Sequence, residues 1–185
     1  MHEANDTVDR KPLHFRQIVM SGWQRSDGLY EVEGRVTDSK PDDFTSPGGT
    51  KQVPAGEPIH DMGVRLVFDQ DMVVHEVTTF TLASPYGDCT EGGRALQAMV
   101  GVRIAGGWSK EVRTRLGGAK SCTHLMELLI PMGTAAYQSL ASLRIGQPDK
   151  LDAQGRPVKV DSCYAYGSAR GVVMRRWPAF YTGPQ

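Results

Sequence analysis

Apolar residues in this chain alternate with polar ones in short paired segments, each pair folded about a run of turn residues. That pattern restricts the fold more than any other feature. Phe15-Arg16-Gln17-Ile18-Val19-Met20 and the run from Leu29 to Val36 flank Arg25-Ser26-Asp27-Gly28. Such an arrangement predicts a hairpin, because strand side chains point to opposite faces in turn and Asp and Gly accept turn geometry. A second pair sets Val64, Leu66 and Phe68 on one face, turns at Asp69-Gln70-Asp71 and continues from Met72 to Leu82. A third is expected around Val158 to Tyr166 and Gly171 to Trp177, before Pro178 ends regular pairing. Residues Thr37 to Pro58 are rich in Asp, Pro, Gly, Ser and Lys and read as a long surface loop.

After Tyr86 the spacing becomes helical. Asp88 or Thr90 can cap a helix carrying Ala95, Leu96, Met99 and Val100, and Trp108 to Leu116 forms a short helix stopped by Gly117-Gly118. Leu125, Met126, Leu128, Leu129, Met132, Ala136 and Leu140 recur at helical intervals behind the caps Ser121 or Thr123, with a kink expected at Pro131. The fold class is therefore α+β, an antiparallel sheet built from hairpins and packed against a few helices. At 185 residues one α+β domain over 13–185 is expected, with residues 1–12 a disordered N-terminus too poor in apolar groups to dock.

Lys and Arg total 21, as do Asp and Glu, for a formal charge of zero. No global field draws in nucleic acid or an anionic membrane, and no apolar stretch reaches the roughly 18 residues a span needs. The polar start lacks the pattern of a secretory signal, so a cytoplasmic protein is expected. The expected partner is a small-molecule substrate, with the oligomeric state open and a homodimer among the choices. Three cysteines are an odd, low number for a disulfide framework, which turns attention to metal binding or thiol chemistry.

Histidine and cysteine fall at element ends, where distant side chains converge over a sheet edge. His60 and Asp61 open the second strand pair, Cys89 follows it, and Cys122 and His124 open the long helix. His60, Cys89 and Cys122 with one open position suit one zinc or iron ion, since imidazole and thiolate are ligands those ions favour. Asp61 and His124 are then candidates for proton transfer, and Arg25 with Asp27 for orienting an acidic or hydroxylated substrate. A metal-free reading makes Cys89 or Cys122 a nucleophile, activated at a helix N-terminus with His60 or His124 as base and Asp61 as orienter. The blander reading has the cysteines filling the core and His60 bonding a loop carbonyl. His14 and His75 read as isolated structural groups and Cys163 as a packing residue. Gly92-Gly93, Gly106-Gly107 and Gly117-Gly118 match no phosphate-binding pattern.

The pieces Arg25-Ser26-Asp27-Gly28-Leu29, Gly56-Glu57-Pro58-Ile59-His60-Asp61-Met62, Ser84-Pro85-Tyr86-Gly87-Asp88-Cys89, Ser121-Cys122-Thr123-His124-Leu125 and Asp161-Ser162-Cys163 occur in this order. Together they resemble the bacterial domain-of-unknown-function family 2889, over about Phe15 to Pro178. That resemblance implies a place in bacterial catabolism of aromatic or steroid compounds. From His60 to about Leu143 the order of ligands and elements is more remotely similar to the NifU-type iron-sulfur cluster scaffolds, which implies a scaffold-like core with an added N-terminal hairpin. His60 would stand in the first cysteine's place, Cys89 in the second's and Cys122 in the third's. Imidazole for the first thiolate, and Asp88 where the scaffolds have glycine, imply a job other than cluster assembly.

The expected function is a metal-dependent small-molecule enzyme of lyase or hydrolase type, acting on an aromatic or acidic catabolic intermediate. No nicotinamide or flavin fingerprint supports hydride transfer. The alternatives are a non-catalytic metal or iron-sulfur carrier and an enzyme with a cysteine nucleophile.

Overall fold

The computed structural model describes residues 8–49 and 51–184. Of the N-terminus read as disordered, residues 1–7 lie outside the described residues, and 9–14 run without regular structure into the first strand. The chain divides into two compact units, Met1–Ser142 and Leu143–Gln185.

The first unit is α+β. Four strands, β1 (Phe15–Gln24), β2 (Tyr30–Ser39), β5 (Pro58–Phe68) and β6 (Val74–Ala83), form an antiparallel sheet in the order β1-β2-β5-β6. Both expected hairpins are present. The loop between them carries its own small pair, β3 (Phe44–Thr45) and β4 (Gln52–Val53). Alternation sorts the sheet into two faces. Val32, Val36, Met62, Val64, Leu66 and Phe68 are buried beneath the helices. The opposite face carries ion pairs instead, Arg35 with Asp61 and Arg65 with Glu31 and Glu33.

The helices are α1 (Trp108–Leu116) and α2 (Thr123–Ser139), preceded by a long 3₁₀ helix over Gly87–Met99. An α-helix is expected from the sequence there. The 3₁₀ form follows from the spacing of its buried residues, Gly93, Leu96 and Met99. Three residues per turn eclipse them into a single ridge, whereas an α-helix would fan them over an arc of about 120°. Helix α2 continues through Pro131 and buries Leu125, Leu128, Leu129, Met132 and Ala136. Each buried leucine or methionine contributes about 1.5–3 kcal/mol. The absence of a side chain at Gly34 lets α2 lie close on the sheet centre, since a Cβ there would meet Met132 Sδ at 2.9 Å. Helix α1 is fastened to α2 by the Trp108 indole, whose Nε1–H donates to the Leu129 carbonyl at 2.6 Å.

The second unit overturns the third strand pair. Tyr164–Tyr166 is a single 3₁₀ turn and Gly171–Arg176 is a helix, α3. Val173 and Trp177 stand four residues apart, the spacing of one helix face, and with Val160 they form a separate small core. Asp149 ties this unit together, accepting from Trp177 Nε1 at 2.8 Å and pairing with Lys159 and Arg176. Cys163, expected in a packed position, is exposed. Among the described residues no helix is long and apolar enough to cross a membrane.

Candidate functional site

At the end of the sheet away from the β1–β2 turn, the helix-facing row is polar. Arg16, Asp38 and His60 are direct neighbours across β1, β2 and β5, each two or four residues along from apolar groups on the same face. Asp38 is only 2% exposed. Its Oδ1 accepts from Arg16 Nε at 2.7 Å and meets His14 Nε2 at 2.9 Å. Its Oδ2 accepts from Arg16 Nη2 at 2.8 Å and meets His60 Nδ1 at 3.1 Å. Burial pushes this carboxyl up, but the Arg16 guanidinium and the two imidazoles outweigh it and lower its pKa to about 2. The contact to ionised Asp38 assigns the His60 proton to Nδ1 and leaves Nε2 an acceptor.

Helix α2 brings the other half of the site. Cys122 is its N-cap residue, in extended conformation, so Cys122 and His124 share one side although two helical positions would diverge by about 200°. The Cys122 N–H donates to the Gly92 carbonyl at 3.3 Å, and Sγ lies 3.8 Å from Met62 Sδ. The His124 ring stacks on His60, with centroids 4.0 Å apart and planes tilted 37°. Burial pushes the Cys122 thiol up. The His124 side-chain hydrogen bond and the N–H groups of Leu125 and His124 overcome it and hold the thiol below its ordinary value. The hydrogen bond to Cys122 raises His124 against its burial. His60 moves the other way, lowered first by burial and then by the charge of His124, against the pull of Asp38. Cys122 is thus eased toward its thiolate and His124 toward its imidazolium, while His60 is eased toward the neutral imidazole beside the Asp38 carboxylate.

The sequence-expected residues are only partly gathered. His60, Cys122 and His124 meet at this corner. Asp61 does not: one residue from His60, it points to the opposite face and makes a two-pronged ion pair with Arg35 at 2.7 and 2.6 Å. Arg25 and Asp27 pair with one another in the β1–β2 turn. From Tyr30 to Asp38 is eight residues of strand, about 27 Å, so these two cannot orient a molecule held at His60. Cys89 opens the 3₁₀ helix, and both it and Cys122 stand outside the group of possible metal ligands that, among the described residues, lie within 4.8 Å of one another, namely Asp38, His60 and His124. His75 bonds Asp69 at the β5–β6 turn. The surface depressions lined by Ser109, Lys110, Arg113 and Thr114, and by Asp161, Tyr164, Gly167, Ser168, Ala169 and Arg170, have neither thiol nor imidazole in their lining.

Sequence reading missed Arg16 and Asp38 and set His14 aside. The signal was their register. Asp38 follows Val32, Gly34 and Val36 at two-residue intervals, and Arg16 precedes Ile18 and Met20 likewise. A charged group that continues an apolar face is the mark of a paired, buried site.

Two details bear on metal binding. A carboxylate offers about four acceptor directions, and Asp38 has four nitrogen partners. Two imidazoles on one tetrahedral zinc, with Zn–N about 2.0–2.1 Å, would hold their ring centres about 5 Å apart. The 4.0 Å stack is tighter than that. Among curated proteins and among solved structures, nothing matches this chain. A family model does match, over residues 14–138, a span that holds every residue of the corner just described, and by it the chain belongs to the family described as protein of unknown function (DUF2889).

Proposed function

We propose that the chain is a small-molecule enzyme of hydrolase or acyl-transfer type, with Cys122 as nucleophile and His124 as its acid–base partner. The observation that carries this is the placing of Cys122 and His124 together at the N-terminus of α2, with the His124 ring stacked on His60 and His60 held by Asp38. A thiolate is favoured by an imidazole that can hold its proton and by N–H donors, and both stand beside Cys122.

The chemistry follows from the residues. The thiolate adds to a substrate carbonyl, forming a C–S bond while the carbonyl electron pair moves to oxygen. Collapse expels the leaving group, which takes the proton of the His124 imidazolium, and a thioester remains on Cys122. Neutral His60 then removes a proton from water as the oxygen attacks the thioester, and the C–S bond breaks to return the thiolate. The proton on His60 passes to His124 through a water that bridges their ring nitrogens, restoring the start. Asp38 steadies His60 in the tautomer that accepts and offsets the charge it gains.

A second reading is the metal-dependent enzyme or carrier expected from the sequence, with its remote likeness to the NifU-type scaffolds. It is favoured by the approach of Asp38, His60 and His124 to within 4.8 Å. The filled acceptor directions of Asp38 and the tight ring stack weigh against it.

The test is the rate of Cys122 alkylation by iodoacetamide across pH, on protein purified without added metal and assayed for zinc and iron. The expected result is a thiol titrating below the ordinary cysteine value, an upward shift in His124→Gln, no labelling at position 122 in Cys122→Ser, and no stoichiometric metal. A thiol titrating normally in the unaltered protein, or one ion per chain lost in His60→Ala, would overturn the nucleophile reading.

A further inference from the structure

Cys89 lies outside the acid–base cluster, yet its helix runs against Cys122 at Gly92. In a 3₁₀ helix residues i and i+3 eclipse, so Cys89, Gly92 and Ala95 make one ridge. All three are half-buried, next to the buried ridge of Gly93, Leu96 and Met99. Gly92 shows where the first ridge points. A Cβ there would lie 2.8 Å from the Cys122 nitrogen, 3.1 Å from its Cβ and 3.2 Å from its Cα. The Gly92 carbonyl also accepts the Cys122 N–H. Cys89 is one turn earlier, about 6 Å along the axis at ~2.0 Å per residue, and its Cβ leaves on the same side. A disulfide asks for Cα atoms within about 7 Å of one another, a separation that one 3₁₀ turn from the Gly92–Cys122 contact brings within reach. Both thiols are free and neither is fully buried.

We propose that Cys89 is a second reacting residue of this corner, condensing with oxidised Cys122 to close a reversible disulfide within the chain. The proposal rests on the reading of Cys122 as nucleophile. The co-reactant is a hydroperoxide. The Cys122 thiolate attacks one peroxide oxygen, so that an S–O bond forms and the O–O bond breaks. The departing oxygen takes the His124 proton, the peroxide is reduced to water or an alcohol, and the sulfur is oxidised to a sulfenic acid. The Cys89 sulfur then attacks Cys122, the S–S bond forms, the S–O bond breaks, and hydroxide leaves with the Cys89 proton as water. An external thiol restores both cysteines by exchange. The disulfide takes the nucleophile out of use and keeps it from irreversible oxidation to the sulfinic acid.

The experiment uses full-length Cys163→Ser, which removes the exposed third thiol. The protein is treated with hydrogen peroxide, capped with N-ethylmaleimide and mapped by peptide mass. The expected result is joint loss of capping at Cys89 and Cys122, one peptide pair linked within a single chain and lighter by two hydrogens, and full recovery with dithiothreitol. Adding Cys89→Ser should turn that recovery into permanent loss at Cys122, as sulfinic acid. Cys122 oxidised while Cys89 stays capped, or links found only between chains, would overturn the pairing and leave the nucleophile reading intact. A Cys122 inert to both peroxide and iodoacetamide would remove both.

Discussion

A carboxylate on the apolar face of a sheet is costly unless its acceptors are filled, and Arg16, His14 and His60 fill those of Asp38. Its pKa falls from 3.8 to about 2 on folding. A folded-state pKa below the unfolded one means that the ionised carboxylate stabilises the fold. The contribution is fully present above about pH 4 and is lost as the pH drops through about 2. The shift corresponds to about 2 kcal/mol. Asp38→Asn keeps the shape but deprives Arg16 of its counter-ion and offers one acceptor oxygen in place of two. The variant is expected to lose about 2–3 kcal/mol at pH 7. Its stability should also fall less steeply between pH 4 and 2 than that of the parent, as urea unfolding at stepped pH would record. An unchanged acid limb would show that the row contributes nothing to the fold.

At the scale of elements, the contact between α1 and α2 sets two opposing effects against each other at Gly133. Alanine in a helix interior gains about 1 kcal/mol over glycine. The added Cβ would sit 2.6 Å from Trp108 Cδ1 and 2.9 Å from its Nε1, and the indole cannot retreat without giving up its bond to Leu129. Overpacking costs about 1–3 kcal/mol and the lost hydrogen bond about another 1. Gly133→Ala should therefore lower stability by about 1–3 kcal/mol in denaturant unfolding, and a gain would mean that the indole yields freely. The elements themselves were largely legible, since the two hairpins, α1 and α2 follow from alternation and helical spacing. The 3₁₀ helix and the tail were not. Gly93, Leu96 and Met99 differ from an α pattern only in strict three-residue spacing, and Val172-Val173 with Trp177 satisfies strand and helix templates alike. Of the candidate site, His60, Cys122 and His124 were visible as reactive types at element ends. Asp61 was misplaced because neighbours along a strand face opposite ways. Arg16 and Asp38 stayed hidden because cross-strand pairing is not written locally.

For the molecule as a whole, the sequence suggests one domain over 13–185, while the fold keeps the family-matched span and its corner within Met1–Ser142. Val160, Val173 and Trp177 make a core of their own beyond it. In the first unit the Arg16–Asp38–His60 row has a consequence for time rather than for chemistry. Arg16 and Asp38 are 22 residues apart, and the row exists only when β1, β2 and β5 are paired in one register. A slip of one residue would turn every member to the wrong face. The row therefore records that assembly has finished correctly. During refolding, the downfield proton signal of His60 Nδ1–H is expected to arrive with the slowest phase, after the β5–β6 hairpin amides are protected. Its arrival before the β1–β2 amides are protected would show that the corner forms without the register it is built on.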